Sequence, residues 1–183
     1  MPIKPNIITS NGHIRLINTG DVAELADYYV RNRTHFLPWE PVRGASFYEQ
    51  ETMLNRILEA EGEFHADKQV KLGVFCRQQR MIASIDFSQI VRGPVQSCYV
   101  GYSIDAQRQG QGLMQEFMPQ CLGYMFNQLQ LHRVMATYMT ANQRSAALLK
   151  RLGFEKEGYA KSYLNIAGTW EDHILTALVN PSH

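Results

Sequence analysis

A glycine-containing stretch stands between a β-rich segment and a helical pattern. It runs from Val100 to Met114 and reads VGYSIDAQRQGQGLM. Gly110 and Gly112 carry no Cβ atom, so the backbone there can approach a ligand closely. Unpaired N–H groups at the start of a helix, together with the helix dipole, bind anions. The stretch therefore predicts a phosphate cradle, and for the glycines taken alone a tight turn before a core helix is the alternative.

Two common phosphate motifs do not fit this stretch. No Lys followed by Ser or Thr comes after the glycines, as a P-loop requires, and Gln115 stands where a dinucleotide-binding fingerprint places its third glycine. The order of the surrounding strands also disagrees with both motifs. A different phosphate-bearing ligand is therefore expected.

Hydrophobic periodicity predicts the elements that position this stretch. Helices are predicted to begin near Asp21, Ser46, Gly112 and Gln143, and strands are predicted at 13–17, 70–76, 81–90, 96–104, 133–139, 154–164 and 169–179. The resulting order is β-α-α-β-β-β-α-β-α-β-β. It implies an α+β fold, an α/β sandwich in which helices cover a mixed, largely antiparallel sheet.

Capping signals set the starts of the first two helices. Asp21 with Glu24, and Ser46 with Glu49, have the spacing of a capping box. The predicted apolar face of the second helix, which ends near Gly62, consists of Phe47, Leu54, Ile57 and Leu58.

Composition excludes several classes of protein. The length of 183 residues suits one domain over 1–183. The formal net charge of +1 argues against a general nucleic-acid binder. The first 20 residues lack the apolar run of a signal peptide, and no later stretch suits a membrane span, so a cytoplasmic protein without membrane contact is expected. Cys76, Cys98 and Cys121 lack the spacing of a disulfide framework or a metal site.

The glycine stretch resembles the signature of the GNAT superfamily of acetyl-CoA-dependent N-acetyltransferases. The signature Q/R-x-x-G-x-G/A is met over Gln109–Met114 except at its last position, where Met114 replaces Gly or Ala. The segments LPWEP, VGYSID, QGQGLM, LHRVMATYMTANQRSAALLKRLGFEKEGYAK and the closing W-x-D-H occur in order along nearly the whole chain. Together they resemble the Rim-type ribosomal-protein-alanine N-acetyltransferases, particularly those acting on small-subunit ribosomal protein number five.

The resemblance implies a set of residues that bind acetyl-CoA, with no metal. Backbone groups of Tyr102, Ser103 and Ile104 would pair with the pantetheine amides. The pyrophosphate would lie on the amides of Gln109, Gly110, Gln111, Gly112, Leu113 and Met114. Asn142 would bind the pantetheine arm, although Asn also serves as an ordinary N-cap. Ser145 would help the thiolate leave as a donor to sulfur, although a helical Ser can instead bond a backbone carbonyl.

An α-amino group is partly neutral at cytosolic pH, so we expect a direct transfer without a covalent enzyme intermediate, in which a general base is needed. Tyr99 stands where many relatives carry Glu, and Leu164 stands where some Rim-type enzymes carry Glu. Glu40, in the Pro38–Pro41 loop, is then the best placed carboxylate, either as base or as the group that binds the substrate's ammonium. His132, Asp172 and His173 are weaker candidates.

The acceptor site is expected in the segment before the glycine stretch. Residues 35–44, HFLPWEPVRG, contain two prolines and predict an ordered loop. Trp39 and Phe36, with Tyr48, would wall a slot for a peptide N-terminus, or pack in the core. The expected partner is the N-terminal alanine of a ribosomal protein. A small-molecule amine acetyltransferase and a non-catalytic CoA-binding ribosome-assembly factor remain alternatives.

Overall fold

One sheet of eight strands carries the structure, a computed structural model that describes residues 3–182. The strands are β1 (Asn6–Ile8), β2 (His13–Leu16), β3 (Val70–Phe75), β4 (Met81–Val91), β5 (Ser97–Ile104), β6 (Arg133–Met139), β7 (Glu155–Ile166) and β8 (Thr169–Val179). Their order is β1-β2-β3-β4-β5-β6-β8-β7, and β5 with β6 is the parallel pair among antiparallel neighbours. This confirms the predicted mixed, largely antiparallel sheet.

Five α-helices lie between the strands in the described part of the chain. They are α1 (Val22–Arg31), α2 (Arg33–Phe36), α3 (Gln50–His65), α4 (Leu113–Asn127) and α5 (Gln143–Arg151). The predicted α+β fold is confirmed. β1 and the short α2 were not predicted, since segments of three and four residues are too short to show a hydrophobic period. None of these helices is long and apolar enough to cross a membrane.

The helices and the sheet bury two clusters of apolar side chains. The larger one joins α4 to the strands and includes Ile85, Phe87, Val100, Phe117 and Val134. The smaller one joins α1 and α3 to the edges of β3 and β4 and includes Leu25, Tyr28, Met53, Ile57 and Phe75. Because side chains alternate between the two faces of a strand, β4 and β5 present different residues to α4 and to α1.

The prediction that Asp21 caps α1 is wrong, because a short 3-10 turn precedes the helix. Asn18 caps a 3-10 turn at Thr19–Asp21, and the Asp21 side chain belongs to that capping box by accepting from the Asn18 N–H at 2.9 Å. Asp21 also receives two 2.7 Å hydrogen bonds from Arg15, which leaves no cap for α1 itself. Glu24 instead accepts from the Met81 N–H at 2.8 Å.

The predicted cap and apolar face of α3 are also corrected. Ser46 lies in a separate 3-10 turn at Ala45–Tyr48, and Glu49 occupies the N-cap position without a side-chain bond. This turn changes the phase between Phe47 and the helix, so the buried face of α3 is Met53, Ile57, Ala60 and Phe64, while Leu54 and Leu58 are exposed. The helix also continues through Gly62 to His65.

Candidate active site

The parallel strands β5 and β6 are neighbours over a short stretch and then part. Their Cα partners are Ser97↔Arg133, Cys98↔Val134 and Tyr99↔Met135. Beyond Tyr99, β5 continues with β4 as far as Ile104, while β6 continues with β8 as far as Met139. The described strands therefore leave an opening along residues 100–104 of β5, the stretch in which the resemblance expects the backbone groups of Tyr102, Ser103 and Ile104 to pair with a ligand.

The glycine turn lies where β5 leads into α4. Gly110 has φ +72° and Gly112 has φ +74°, a left-handed conformation that favours glycine. A Cβ atom at either position would meet nothing within 4 Å, so the turn borders open space. Gly112 is the N-cap of α4, and the first bond of the helix runs from the Gln115 N–H to the Gly112 carbonyl at 3.0 Å. The N–H groups that precede it have no acceptor within the helix.

Met114 departs from the signature, but its side chain does not lie in the glycine turn. The side chains of Leu113 and Met114 are both buried in the larger apolar cluster, at 7% and 8% exposure. Met114 is therefore directed into the core, whereas Gln111 and Gly112 are exposed.

Ser145 meets Tyr102 across the opening. The Tyr102 hydroxyl and Ser145 Oγ are 2.6 Å apart, so the Ser145 hydroxyl has a hydrogen-bond partner on the neighbouring strand. Burial raises the pKa of Tyr102 to about 12, with the bond to Ser145 acting in the opposite direction. Asn142 caps α5 through its Oδ1, which accepts from the Ser145 N–H at 3.1 Å. The structure therefore brings Tyr102, Asn142 and Ser145 together.

Helix α1 is tied to the segment that precedes the glycine turn. Arg31 donates to Asp105 at 2.9 Å, and Asn32 accepts from the Ala106 N–H at 2.9 Å. Arg31 also bonds the Met81 carbonyl at the start of β4. Burial alone would raise the pKa of Asp105, but the bonds from Arg31 and the Gln107 N–H outweigh it and lower that pKa. Sequence reasoning missed this tie because its members are distant along the chain.

Gln109 links the two sides of the site. Its Nε2 lies 2.8 Å from His35 Nε2 on α2, and its Oε1 accepts from Arg144 on α5. The first residue of the signature thus contacts both α2 and the helix that carries Ser145. Burial, followed by the charge of Arg144, lowers the pKa of His35.

Glu40 lies in a cavity of about 140 Å³ formed around the loop that follows α2. Tyr29, Arg33, Phe36, Leu37, Pro41, Val42, Arg43 and Tyr48 form its other walls. Burial raises the pKa of Glu40, although Arg43 opposes this from 3.5 Å. The Glu40 carbonyl accepts from the Ala167 N–H at 3.0 Å, which joins this loop to the turn between β7 and β8.

The three predicted wall residues have different surroundings. Phe36 is 6% exposed and packs against the rings of Tyr28 and Tyr29, so it belongs to the core as well as to the cavity. Tyr48 lines the cavity. Trp39 is 41% exposed and lies outside that lining, next to it in the chain.

The weaker candidates lie on the strands beyond the opening. His173 is buried in β8, where its Nδ1 is 3.0 Å from the Glu171 carbonyl. Asp172 accepts from Tyr159 and from the Ser162 N–H, which are bonds within the β7–β8 hairpin. His132 precedes β6. Burial, followed by the nearby Tyr99, raises the pKa of Tyr163, and Leu164 is exposed at 42%.

Two charged residues on the sheet, the buried Lys71 and the partly buried Asp86, were not predicted as site residues. Lys71 on β3 is 7% exposed, and Asp86 on β4 is its direct Cα partner. Gln69 Nε2 donates to both oxygens of Asp86, at 2.7 and 2.9 Å. The sequence contained a signal for them, because burying a charged residue in an apolar strand costs free energy unless the charge is paired or hydrogen-bonded.

The splayed parallel strands, the glycine turn and α4 define a class of protein. The family model of the acetyltransferase (GNAT) domain matches residues 13–155. The chain belongs to the GNAT acetyltransferase family.

Within that family the chain is similar to enzymes named for ribosomal proteins. It is 44% identical over 180 residues to the ribosomal protein uS5-alanine N-acetyltransferase of Escherichia coli (strain K12), covering 97% of this chain and 92% of that protein. A solved structure of the ribosomal-protein-S5-alanine acetyltransferase from Vibrio fischeri has a TM-score of 0.94 at 37% identity, covering 97% of both chains. Mycobacterium smegmatis RimJ, solved in complex with CoA-disulfide, shares the fold with a TM-score of 0.88 at 24% identity, covering 93% of this chain and 83% of that one.

Proposed function

We propose that this protein transfers the acetyl group of acetyl-CoA to the N-terminal α-amino group of a ribosomal protein in the cytoplasm, with an N-terminal alanine as the acceptor. The observation that carries the proposal is the opening between β5 and β6, which Tyr102 and Ser145 border and which leads to the glycine turn. The acceptor class follows the 44% identical relative named above.

The cofactor side of the opening suits an extended ligand with a pyrophosphate. Backbone groups of β5 at Tyr102, Ser103 and Ile104 are available to pair with pantetheine amides as an added strand would. The amides from Gln109 to Met114, at a turn with open space around both glycines, suit the pyrophosphate. Asn142 lies one turn before Ser145 and completes the pantetheine contacts.

The chain's own residues then complete the transfer. Acetyl-CoA supplies the acetyl group as an activated thioester. Ser145 donates to the departing sulfur, and Tyr102, protonated at neutral pH because its pKa is raised to about 12, holds the Ser145 hydroxyl in place. No covalent bond to the protein is needed, since an α-amine with a pKa of about 8 is partly neutral at physiological pH.

Glu40 contributes to the acceptor side. Its carboxylate lies in the cavity beside Tyr48 and Phe36 and is held by Arg43 at 3.5 Å, a long contact that an incoming ammonium group competes with. We assign Glu40 to binding the acceptor's ammonium group, and Trp39 to contacting the peptide at the rim of the same loop.

Release of CoA thiol tests this proposal. The protein is incubated with acetyl-CoA and peptides beginning with Ala, Ser or Met, alongside polyamines and amino acids. Turnover with an Ala peptide above the others is expected. Turnover with small amines and no peptide would replace the proposal by a small-molecule acetyltransferase. The absence of turnover with every acceptor, with acetyl-CoA still bound, would leave a CoA-binding assembly factor.

A further inference from the structure

Three residues form a row across the middle of the sheet. Lys71 on β3 is the Cα partner of Asp86 on β4, and Asp86 is the Cα partner of Gly101 on β5. The row ends at Gly101, just past Tyr99, where β5 and β6 part. The Asp86 carboxylate is therefore on the residue paired with Gly101, where the sheet begins to open.

Gly101 makes this point accessible from the acceptor side. It is exposed, and a Cβ atom there would meet nothing within 4 Å. Successive residues of a strand face opposite sides, so Tyr102 faces α5 and Ser145, while Gly101 and Asp86 face α1 and α3. The missing side chain at Gly101 leaves an open space beside Asp86 on this face of the sheet, which we call the Gly101 window.

The groups facing Asp86 come from each element packed against it. Gln69 donates to both of its oxygens, Lys71 adjoins it on β3, and Arg56 of α3 and Tyr29 of α1 interact with it electrostatically. Burial raises the pKa of Asp86, against the opposing effects of Lys71, Gln69 and Arg56. A carboxylate whose pKa is raised by burial is a better proton acceptor than an exposed one.

Glu40 belongs to the same neighbourhood. Both Glu40 and Asp86 act on the pKa of Tyr29, and Arg56 interacts with both carboxylates. Both carboxylates therefore lie near Tyr29, with Glu40 in the cavity that Tyr29 lines and Asp86 on β4, beside the strand that borders the opening.

We propose that Asp86 is the general base of the transfer, taking a proton from the acceptor's amino group at the Gly101 window. This assignment rests on the proposed function. Of the three hydrogens on the acceptor's ammonium nitrogen, one stays on the amide nitrogen, one reaches the departing sulfur as a proton through Ser145, and one passes as a proton to Asp86 and then to water. The N–C bond forms as the C–S bond breaks, giving the acetylated amine, CoA thiol and one released proton.

Asp86→Asn tests the assignment directly, because it keeps the shape and one of the two hydrogen bonds from Gln69. We expect kcat to fall about 100-fold or more, with the Kd for acetyl-CoA unchanged. Glu59→Gln is the matched control: Glu59 is an exposed carboxylate on α3 that also interacts with Lys71. Its kcat should stay within about twofold of the wild type.

The pH profile separates a base from a residue that only supports the sheet. Asp86 must be ionised, so kcat/KM should fall more steeply on the acid side, below the pKa of Asp86, than ionisation of the amine alone requires. Gln69 and Lys71 both lower that pKa, so Gln69→Leu and Lys71→Met should each move the steeper part to higher pH. An unchanged profile in both variants would contradict the assignment.

Peptide binding distinguishes failure of this assignment from failure of the proposed function. The affinity of an Ala peptide, and of its N-acetylated form, is measured calorimetrically with CoA present. Asp86→Asn should weaken binding of the free amine and spare the acetylated peptide. If the wild type acetylates any amine while Asp86→Asn remains fully active, Asp86 is not the base. If the wild type acetylates nothing, the proposed function fails, and equal binding of the free amine by both proteins overturns the role of Asp86 as well.

Discussion

The hydroxyl of Tyr102 on β5 lies 2.6 Å from Ser145 Oγ on α5. The two residues are 43 positions apart, and the β5–β6 opening lies between their elements. With its pKa raised to about 12 by burial, Tyr102 stays protonated at neutral pH and shares its hydrogen bond with Ser145. The pair fixes a hydroxyl donor at the edge of the opening.

Substitution of this pair should lower turnover without loss of the cofactor. Ser145→Ala removes the donor and should lower kcat about 100-fold. Tyr102→Phe removes one supporting hydrogen bond and should lower kcat about tenfold. Because the two act as a unit, the double variant should resemble Ser145→Ala alone. Normal kcat in both single variants, measured as CoA thiol release, would place the proton donor elsewhere.

The glycine turn should be needed for acetyl-CoA binding. Gly112→Glu places bulk and a negative charge beside the expected pyrophosphate, so the Kd for acetyl-CoA should rise beyond measurement. Gly93→Glu is the matched control, since Gly93 also has positive φ, at +71°, with nothing within 4 Å of a Cβ atom. Both variants share the backbone strain, but only the first should lose binding. Equal affinity in the two variants would refute the phosphate cradle.

Trp39 and Phe36 should respond differently to truncation. Phe36 is 6% exposed within an aromatic cluster, so Phe36→Ala should cost about 3 kcal/mol of unfolding free energy. Trp39 is 41% exposed, so Trp39→Ala should leave the unfolding free energy nearly unchanged and raise the KM for the peptide. Denaturant titration and peptide kinetics measure the two effects. A stable Trp39→Ala variant with an unaltered KM would remove Trp39 from the acceptor site.

The elements were largely predictable from the sequence, whereas the contacts between distant residues were not. Strands such as β6, at Arg133–Met139, follow directly from alternation and length. The cap of α1 was misplaced because Asn18 and Asp21 form their own 3-10 turn with help from Arg15 on β2. Local patterns cannot show such tertiary competition.

Within the site too, features that are local in sequence were predicted, and contacts between distant residues were missed. The glycine turn and the cap at Asn142 are local in sequence, and both are present. The bond between Tyr102 and Ser145 and the row from Lys71 to Gly101 depend on sheet register and on helix placement. These contacts arise when the strands pair, so a one-dimensional pattern does not contain them.

The tie between Arg31 and Asp105 should make stability depend on pH. Their side chains are 14% and 7% exposed, so Arg31→Met, which leaves Asp105 without its ion-pair partner, should cost about 3 kcal/mol. The pKa of Asp105 is lowered in the folded state, so its ionised form stabilises the fold above its unfolded pKa of about 3.9. That contribution is lost as the pH falls through the lower, folded value.

Asp105→Asn checks the sign of this effect. The variant should be less stable than the wild type at pH 7, and the difference should narrow as the pH falls below about 4. Urea titrations of both proteins between pH 2 and 7 give the comparison, with about 4 as the expected turning point. A difference that stays constant with pH would mean that the Asp105 charge does not stabilise the fold.

The position of the transferred acetyl group tests the central claim most directly. A peptide that begins with Ala and contains an internal Lys is incubated with the protein and acetyl-CoA, and the product is mapped by tandem mass spectrometry. One acetyl group on the α-amino nitrogen of the Ala, with the Lys side chain unmodified, is the expected result. Acetylation of the Lys side chain alone, or an unmodified peptide while a small amine is acetylated, would contradict N-terminal transfer.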